Sequence, residues 1–157
     1  IRFDQLQEAL EDYSGEAGRM QHEEVGGVHF YNDAYNANPA SAKAGFETMS
    51  EINSSARKIL IFADMLELGV QSIESHISAA AQMLKARFDH IILFGEEVAN
   101  SAHHLKEQGF RSLYYNNNKA KSLQHFLDEV KPGDLVYLKG SRGMQLEDYV
   151  NAYKENI

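Results

Sequence analysis

The sequence predicts a doubly wound α/β fold: a Rossmann-like, mostly parallel sheet with one antiparallel edge strand and helices on both faces. Three observations carry this reading. Short apolar runs alternate repeatedly with helix-period stretches. Most of those runs are apolar at consecutive positions, the pattern of strands covered on both faces. Near the start, a Gly-Gly pair separates two strand-like segments at hairpin spacing.

Taken in chain order, Phe3, Leu6, Leu10 and Tyr13 recur at helical spacing and predict a short amphipathic helix, followed by the loose segment Ser14–Gly18. Met20–Val25 and Val28–Tyr31 flank Gly26-Gly27, so the first core strand gains an antiparallel neighbour. Further strands are expected at Ile59–Ala63, Ile91–Phe94, Leu113–Tyr115 and Leu135–Leu138. Between them, Ile73, Ile77, Ala80, Ala81, Leu84 and Phe88 form one helical stripe, and Leu123, Phe126, Leu127 and Val130 another. Leu146, Tyr149, Val150 and Tyr153 repeat the spacing at the end. Pro39 and Pro132 are the only prolines, and no internal repeat or domain boundary is evident.

Composition narrows the function. The 157 residues suit one domain with a proper core, and 43% apolar with 24% charged residues is a globular profile. The net charge of −8 is a poor match to a nucleic-acid backbone or an anionic membrane. With no cysteine, disulfides, thiolate metal sites and cysteine nucleophiles are excluded, and a reducing compartment fits. No apolar stretch approaches the roughly 18 residues that span a bilayer. The opening IRFDQLQEAL has neither an initiator Met nor a signal-peptide layout, and reads as a piece cut from a longer chain.

In an open α/β sheet, ligands bind beyond the carboxyl ends of the strands, and the unusual residues collect there. Asn32-Asp33-Ala34-Tyr35-Asn36-Ala37-Asn38-Pro39 follows one strand, Asp64-Met65-Leu66-Glu67-Leu68-Gly69 the next, and Gly95-Glu96-Glu97 a third. Lys139-Gly140-Ser141-Arg142-Gly143 follows the last. Asn38-Pro39 alone is helix-start chemistry, with Asn as cap and Pro as first helical residue. Capping leaves Asp33, Tyr35 and Asn36 unaccounted for. Taken alone, the next loop reads as structural, with Asp64 a turn residue and Gly69 a loop glycine. Around Gly140 and Gly143, backbone can approach a ligand closely. A helix start near Met144 would add positive potential, and Lys, Ser and Arg suit a phosphate or carboxylate; a solvated strand-to-helix turn accounts for the same residues.

The missing motifs are as informative. The chain has no phosphate loop, no dinucleotide-binding Gly-x-Gly-x-x-Gly after the first strand and no Gly-x-Ser-x-Gly hydrolase elbow. The seven histidines show no ligand spacing. Adjacent His103 and His104 splay apart on a helix. His76 reads as a surface or capping residue, and the tyrosines and phenylalanines as core.

Read together, Asp33-Ala34-Tyr35-Asn36-Ala37-Asn38-Pro39, Ala63-Asp64-Met65-Leu66-Glu67-Leu68-Gly69 and Lys139-Gly140-Ser141-Arg142-Gly143-Met144, with Gly18-Arg19-Met20 before them, resemble the C-terminal domain of the Mur ligases. The likeness spans essentially the whole chain and is strongest for the D-alanyl-D-alanine-adding branch. It implies that residues 1–18 are a helix and linker from a preceding domain and residues 19–157 the C-terminal domain. The whole would be a cytoplasmic, three-domain ligase of peptidoglycan synthesis. That family uses ATP to phosphorylate the terminal carboxylate of a UDP-N-acetylmuramoyl-tripeptide, and the amine of D-Ala-D-Ala attacks the acyl phosphate. The phosphate loop and Mg sites would belong to the central domain, so the isolated chain is expected to be inactive and to hold no metal.

Carried over by residue, the resemblance gives Arg19, Asp33 and Asn36 to the nucleotide. It gives Tyr35, Asn38, Lys139, Ser141 and Arg142 to the substrate side, the last three for the dipeptide carboxylate, and Asp64 a weaker place on the same rim. Asn32 stands where a second Asp is frequent, Ala34 where serine is usual, and Ala63 where glycine precedes Asp-Met. Sister branches, MurE and the folylpolyglutamate ligases, share the fold with other amine substrates. A stand-alone Rossmann-like binding module would account for the same loops without a catalytic partner domain.

Overall fold

The computed structural model describes Arg2, Asp4, Gln5 and residues 19–157. Apart from Asp4 and Gln5, the helix read over Phe3–Tyr13 and the linker Ser14–Gly18 lie outside the described residues. The ordered elements run β1 (Gln21–Val25), β2 (Val28–Asp33), α1 (Pro39–Glu51), β3 (Lys58–Ala63), α2 (Ser72–Ala86), β4 (His90–Phe94), α3 (Ala99–Glu107), β5 (Leu113–Asn116), α4 (Lys119–Glu129), β6 (Leu135–Lys139) and α5 (Glu147–Asn156). Every strand expected from the apolar runs is present.

The strands form one six-stranded sheet in the order β1-β2-β6-β3-β4-β5. β1 pairs antiparallel with β2, and all other pairings are parallel. Gly26 and Gly27 both adopt positive φ, 55° and 82°, the backbone a tight two-residue hairpin demands. β6, last in sequence, inserts between β2 and β3, so the loops after those three strands become neighbours although they are far apart along the chain.

Alternate strand residues feed two cores. Tyr31, Leu60, Phe62, Ile91, Leu93 and Tyr137 face α1, α2 and α3, while Phe30, Ile59, Ile61, Ile92, Val136 and Leu138 face α4 and α5. The stripes on α4 and α5 are the ones read from sequence: Phe126 is fully buried, and Leu146, Tyr149, Val150 and Tyr153 pack behind β2 and β6.

Two expectations need correction. The α2 stripe is rotated: Ser72, His76, Ala79, Ala80, Met83 and Ala86 are buried, whereas Ile73 is 57% and Ile77 37% exposed. α2 lies between α1 and α3, and close helix approach selects small side chains over branched ones on the inner face. The last helix also starts later than Met144. Arg142–Met144 is a single 3₁₀ turn, Gln145 takes a left-handed conformation, and α5 begins at Glu147. Among the described residues no helix is long and apolar enough to cross a membrane.

Candidate functional site

Asp33 ends β2 in register with Lys139, which ends β6, and Phe62 of β3 flanks Lys139 on the other side. This register puts a carboxylate beside an ammonium at the sheet's edge: Lys139 Nζ lies 3.1 Å from Asp33 Oδ2, with both side chains largely buried. Tyr137, two residues before Lys139 and therefore on the same sheet face, donates its hydroxyl to Asp33 Oδ2 at 2.6 Å. Full burial and the adjacent Asp33 charge hold the Tyr137 phenol well above its ordinary pKa, so it remains a donor. Asp33 Oδ1 accepts from the Met20 backbone N–H at 3.3 Å, fixing the chain next to Arg19.

Above this anchor, Tyr35 meets two guanidinium groups. Arg19 Cζ lies 4.3 Å and Arg142 Cζ 5.4 Å from its ring centroid. Cation–π contact orients the Arg142 guanidinium while leaving its in-plane N–H donors available for an anion. Arg142 is exposed and makes no ion pair with a carboxylate among the described residues. In a chain of net charge −8, two arginines converging on one ring form a local cationic site.

The Asn36 side-chain Oδ1 accepts from the Ala37 N–H at 2.8 Å, and the residue is exposed at the mouth. Asn38 caps α1 as read from sequence: its Oδ1 accepts from Ser41 N–H at 2.8 Å, and Ser41 Oγ accepts from the Asn38 N–H at 3.1 Å. Such a cap contributes about 1 kcal/mol.

The loops after β3 and β6 are tied by Ser141. Its Oγ accepts from Leu66 N–H at 2.8 Å, and its N–H donates to the Asp64 carbonyl at 3.1 Å. Residues 33, 64 and 141 therefore share one rim, as their motifs required. Within it, two residues do different work from that first assigned. Lys139 is buried against Asp33, so it braces that carboxylate and does not stand beside Arg142 at the surface. The Asp64 carboxylate faces inward, accepting from Glu96 N–H at 3.0 Å and Val98 N–H at 2.9 Å ahead of α3. Gly95 (φ +130°) is required there because a Cβ would collide with that carboxylate.

Sequence reasoning passed over two supports. Tyr137 belongs to the core by composition, yet its spacing from Lys139 puts both on the face next to Asp33. His76 is fully buried rather than at the surface: its Nε2 accepts from Met65 N–H at 3.0 Å, and its Nδ1 lies 2.8 Å from the Ser72 carbonyl. An acceptor Nε2 requires the proton on Nδ1, so the imidazole is a neutral clamp behind the Asp64 loop.

A mostly parallel sheet with helices on both faces, carrying a tyrosine-centred rim of arginines at its carboxyl edge, defines a doubly wound α/β domain. The comparisons narrow the class. Residues 18–142 match the family model described as "Mur ligase, glutamate ligase domain". The chain belongs to the Mur ligase family. It is 33% identical over 127 residues to the UDP-N-acetylmuramoyl-tripeptide--D-alanyl-D-alanine ligase of Bacillus subtilis, covering 79% of this chain and 27% of that protein. It is 27% identical over 156 residues to the ligase of the same name from Borreliella burgdorferi, covering 98% of this chain and 33% of that one. The chain thus spans about a third or less of these relatives' length. Its fold matches MurF from Acinetobacter baumannii with a TM-score of 0.79 at 23% identity, covering 99% of this chain and 34% of that one. Against MurF ligase from Thermotoga maritima in complex with ADP the TM-score is 0.74 at 22% identity, covering 90% and 31%.

Proposed function

We propose that this chain is the C-terminal domain of a cytoplasmic D-alanyl-D-alanine-adding Mur ligase and contributes one wall of an interdomain site for ATP and the dipeptide. The observation that carries the reading is the pair of arginines on Tyr35, directly above the anchored Asp33. In the family reaction, a carboxylate oxygen of the UDP-N-acetylmuramoyl-tripeptide takes the γ-phosphoryl group and ADP departs. The dipeptide amine then attacks the acyl carbon, phosphate leaves, and the amine loses a proton.

The chain's share is positioning and charge neutralisation. Arg19 serves the nucleotide phosphates or ribose, Asp33 the ribose hydroxyls and Asn36 the mouth of the same site. Arg142, with the Ser141 hydroxyl, serves the dipeptide carboxylate, and Tyr35 and Asn38 flank the incoming amine. Lys139 acts through Asp33 and Asp64 through the loop it closes. The acyl phosphate requires exclusion of water, which a second domain closing on this rim supplies.

For Mg, the rim is a poor fit. The two aspartates of its motifs are engaged, Asp33 by Tyr137 and Lys139 and Asp64 by two backbone N–H groups. The ion's ligands therefore belong on another domain.

In the complete ligase, Arg142→Ala is expected to raise KM for D-Ala-D-Ala about 10- to 100-fold, the worth of a charge-assisted contact. KM for the UDP-linked peptide should stay within about twofold. Equal losses for both substrates would remove Arg142 from the carboxylate role. The isolated 157-residue chain is expected to fold without hydrolysing ATP.

A further inference from the structure

We propose that the opposite, amino-terminal end of the sheet holds a divalent transition-metal site formed by His90, His125 and Glu129. One ligand atom from each lies within 4.8 Å of the others. The trio was invisible to a search for histidine spacing, because His125 and Glu129 are one helical turn apart on α4 while His90 arrives from the first position of β4. The site is independent of the ligase reading.

The cluster is built rather than incidental. His90 is buried, and its Nδ1 lies 2.8 Å from Ser112 Oγ, which fixes the ring and leaves Nε2 aimed at His125. His90 Nε2 and His125 Nε2 are 2.9 Å apart. Two imidazole nitrogens on one tetrahedral zinc ion stand roughly 3.3 Å apart, so a few tenths of an ångström of opening admits the ion. The His125 ring is held flat against Tyr114, with centroids 3.8 Å apart and planes 3° from parallel. Arg57 Nη1 donates to Glu129 Oε1 at 2.6 Å, and among the described residues Oε2 has no hydrogen-bond partner.

Charge favours a cation. Arg57 is outnumbered by Asp134 and Glu129, both bonded to it. In the empty site a single proton can lie between the two facing Nε2 atoms. When the ion takes that place, the ring carrying the proton releases it at Nε2 and takes one from water at Nδ1, so both histidines bind as neutral ligands. Two imidazoles, one carboxylate and a water are the donor set of Zn²⁺ or a similar borderline ion.

The experiment uses the full chain, with Zn²⁺ followed by calorimetry and Co²⁺ by visible absorption. We expect one equivalent bound, a four-coordinate Co²⁺ spectrum that Zn²⁺ abolishes, and a higher Tm with metal. His125→Gln, a change on a half-buried helix face, should weaken binding about 100-fold, and Ser112→Ala about tenfold by freeing the His90 ring. His103→Ala, beside Glu107 on α3, and His29→Ala, beside His22, should leave binding unchanged; circular dichroism checks that each variant is folded. Absence of one-to-one binding, equal affinity in His125→Gln, or loss of binding in His103→Ala would each overturn the site.

Discussion

Arg57 and Arg142 occupy opposite ends of the same sheet and have opposite surroundings. At the floor, Arg57 donates to both oxygens of Asp134 at 3.1 and 2.8 Å, to Glu129 Oε1 at 2.6 Å and to the Glu129 carbonyl at 2.7 Å. Its hydrogen-bonding capacity is largely spent inside the chain, and in return it holds the Glu129 carboxyl below the usual carboxylate range. At the rim, Arg142 touches the face of Tyr35 and keeps its donors for something else. The same residue type is a brace where its own chain satisfies it and a recognition group where only a π-face orients it. Lys139 shows that the distinction cuts through a single motif: it belongs with Arg57 as a brace, three residues from an arginine that faces outward.

The largest expected effect separates the two arginines by stability. Arg57→Ala leaves Asp134, whose side chain is only 7% exposed, without its counter-ion and with the Lys131 N–H as its remaining donor. It should cost about 2–3 kcal/mol in urea unfolding, reduced from a fully buried pair by solvent at the arginine. Arg142→Ala should change stability by less than about 0.5 kcal/mol. Similar losses from both would erase the contrast.

A smaller effect probes what stiffens the rim. His76→Phe keeps a flat aromatic ring but leaves the Met65 N–H without its acceptor, costing about 1–3 kcal/mol before any overpacking by the larger ring. Hydrogen exchange at Met65 should accelerate; unchanged protection would mean that the clamp is not what holds the Asp64 loop. The smallest concerns Asn38. Asn38→Ala should cost about 1 kcal/mol, while Asn38→Ser should restore the cap to within a few tenths of a kcal/mol. If Asn38→Ser also restores activity in the complete ligase, capping accounts for the residue and it leaves the substrate wall.

The strands were legible because burial on both faces imposes consecutive apolar residues, and the shortness and β-branched content of Ile59–Ala63 and Ile91–Phe94 favour strand over buried helix. The rim was legible because β2, β3 and β6 each release polar, turn-forming residues at the same end. What could not be read were properties created by contact. Nothing local distinguishes Ile73 and Ile77, which are exposed, from core residues, since the face α2 buries is dictated by the neighbours on either side of it. The pairing of Asp33 with Lys139 follows from β6 inserting beside β2, a topological fact with no local signature. His76 and His90 are likewise ordinary histidines until packing gives each a partner.

The ties through Ser141 and behind Met65 make the loops after β3 and β6 a single stiff lip. Neither loop is therefore suited to fold over a ligand as a lid. If a hydrolysable intermediate forms against this surface, its shelter must come from a separate body arriving whole. The yield of product over wasted hydrolysis then becomes a race between docking of that body and entry of solvent.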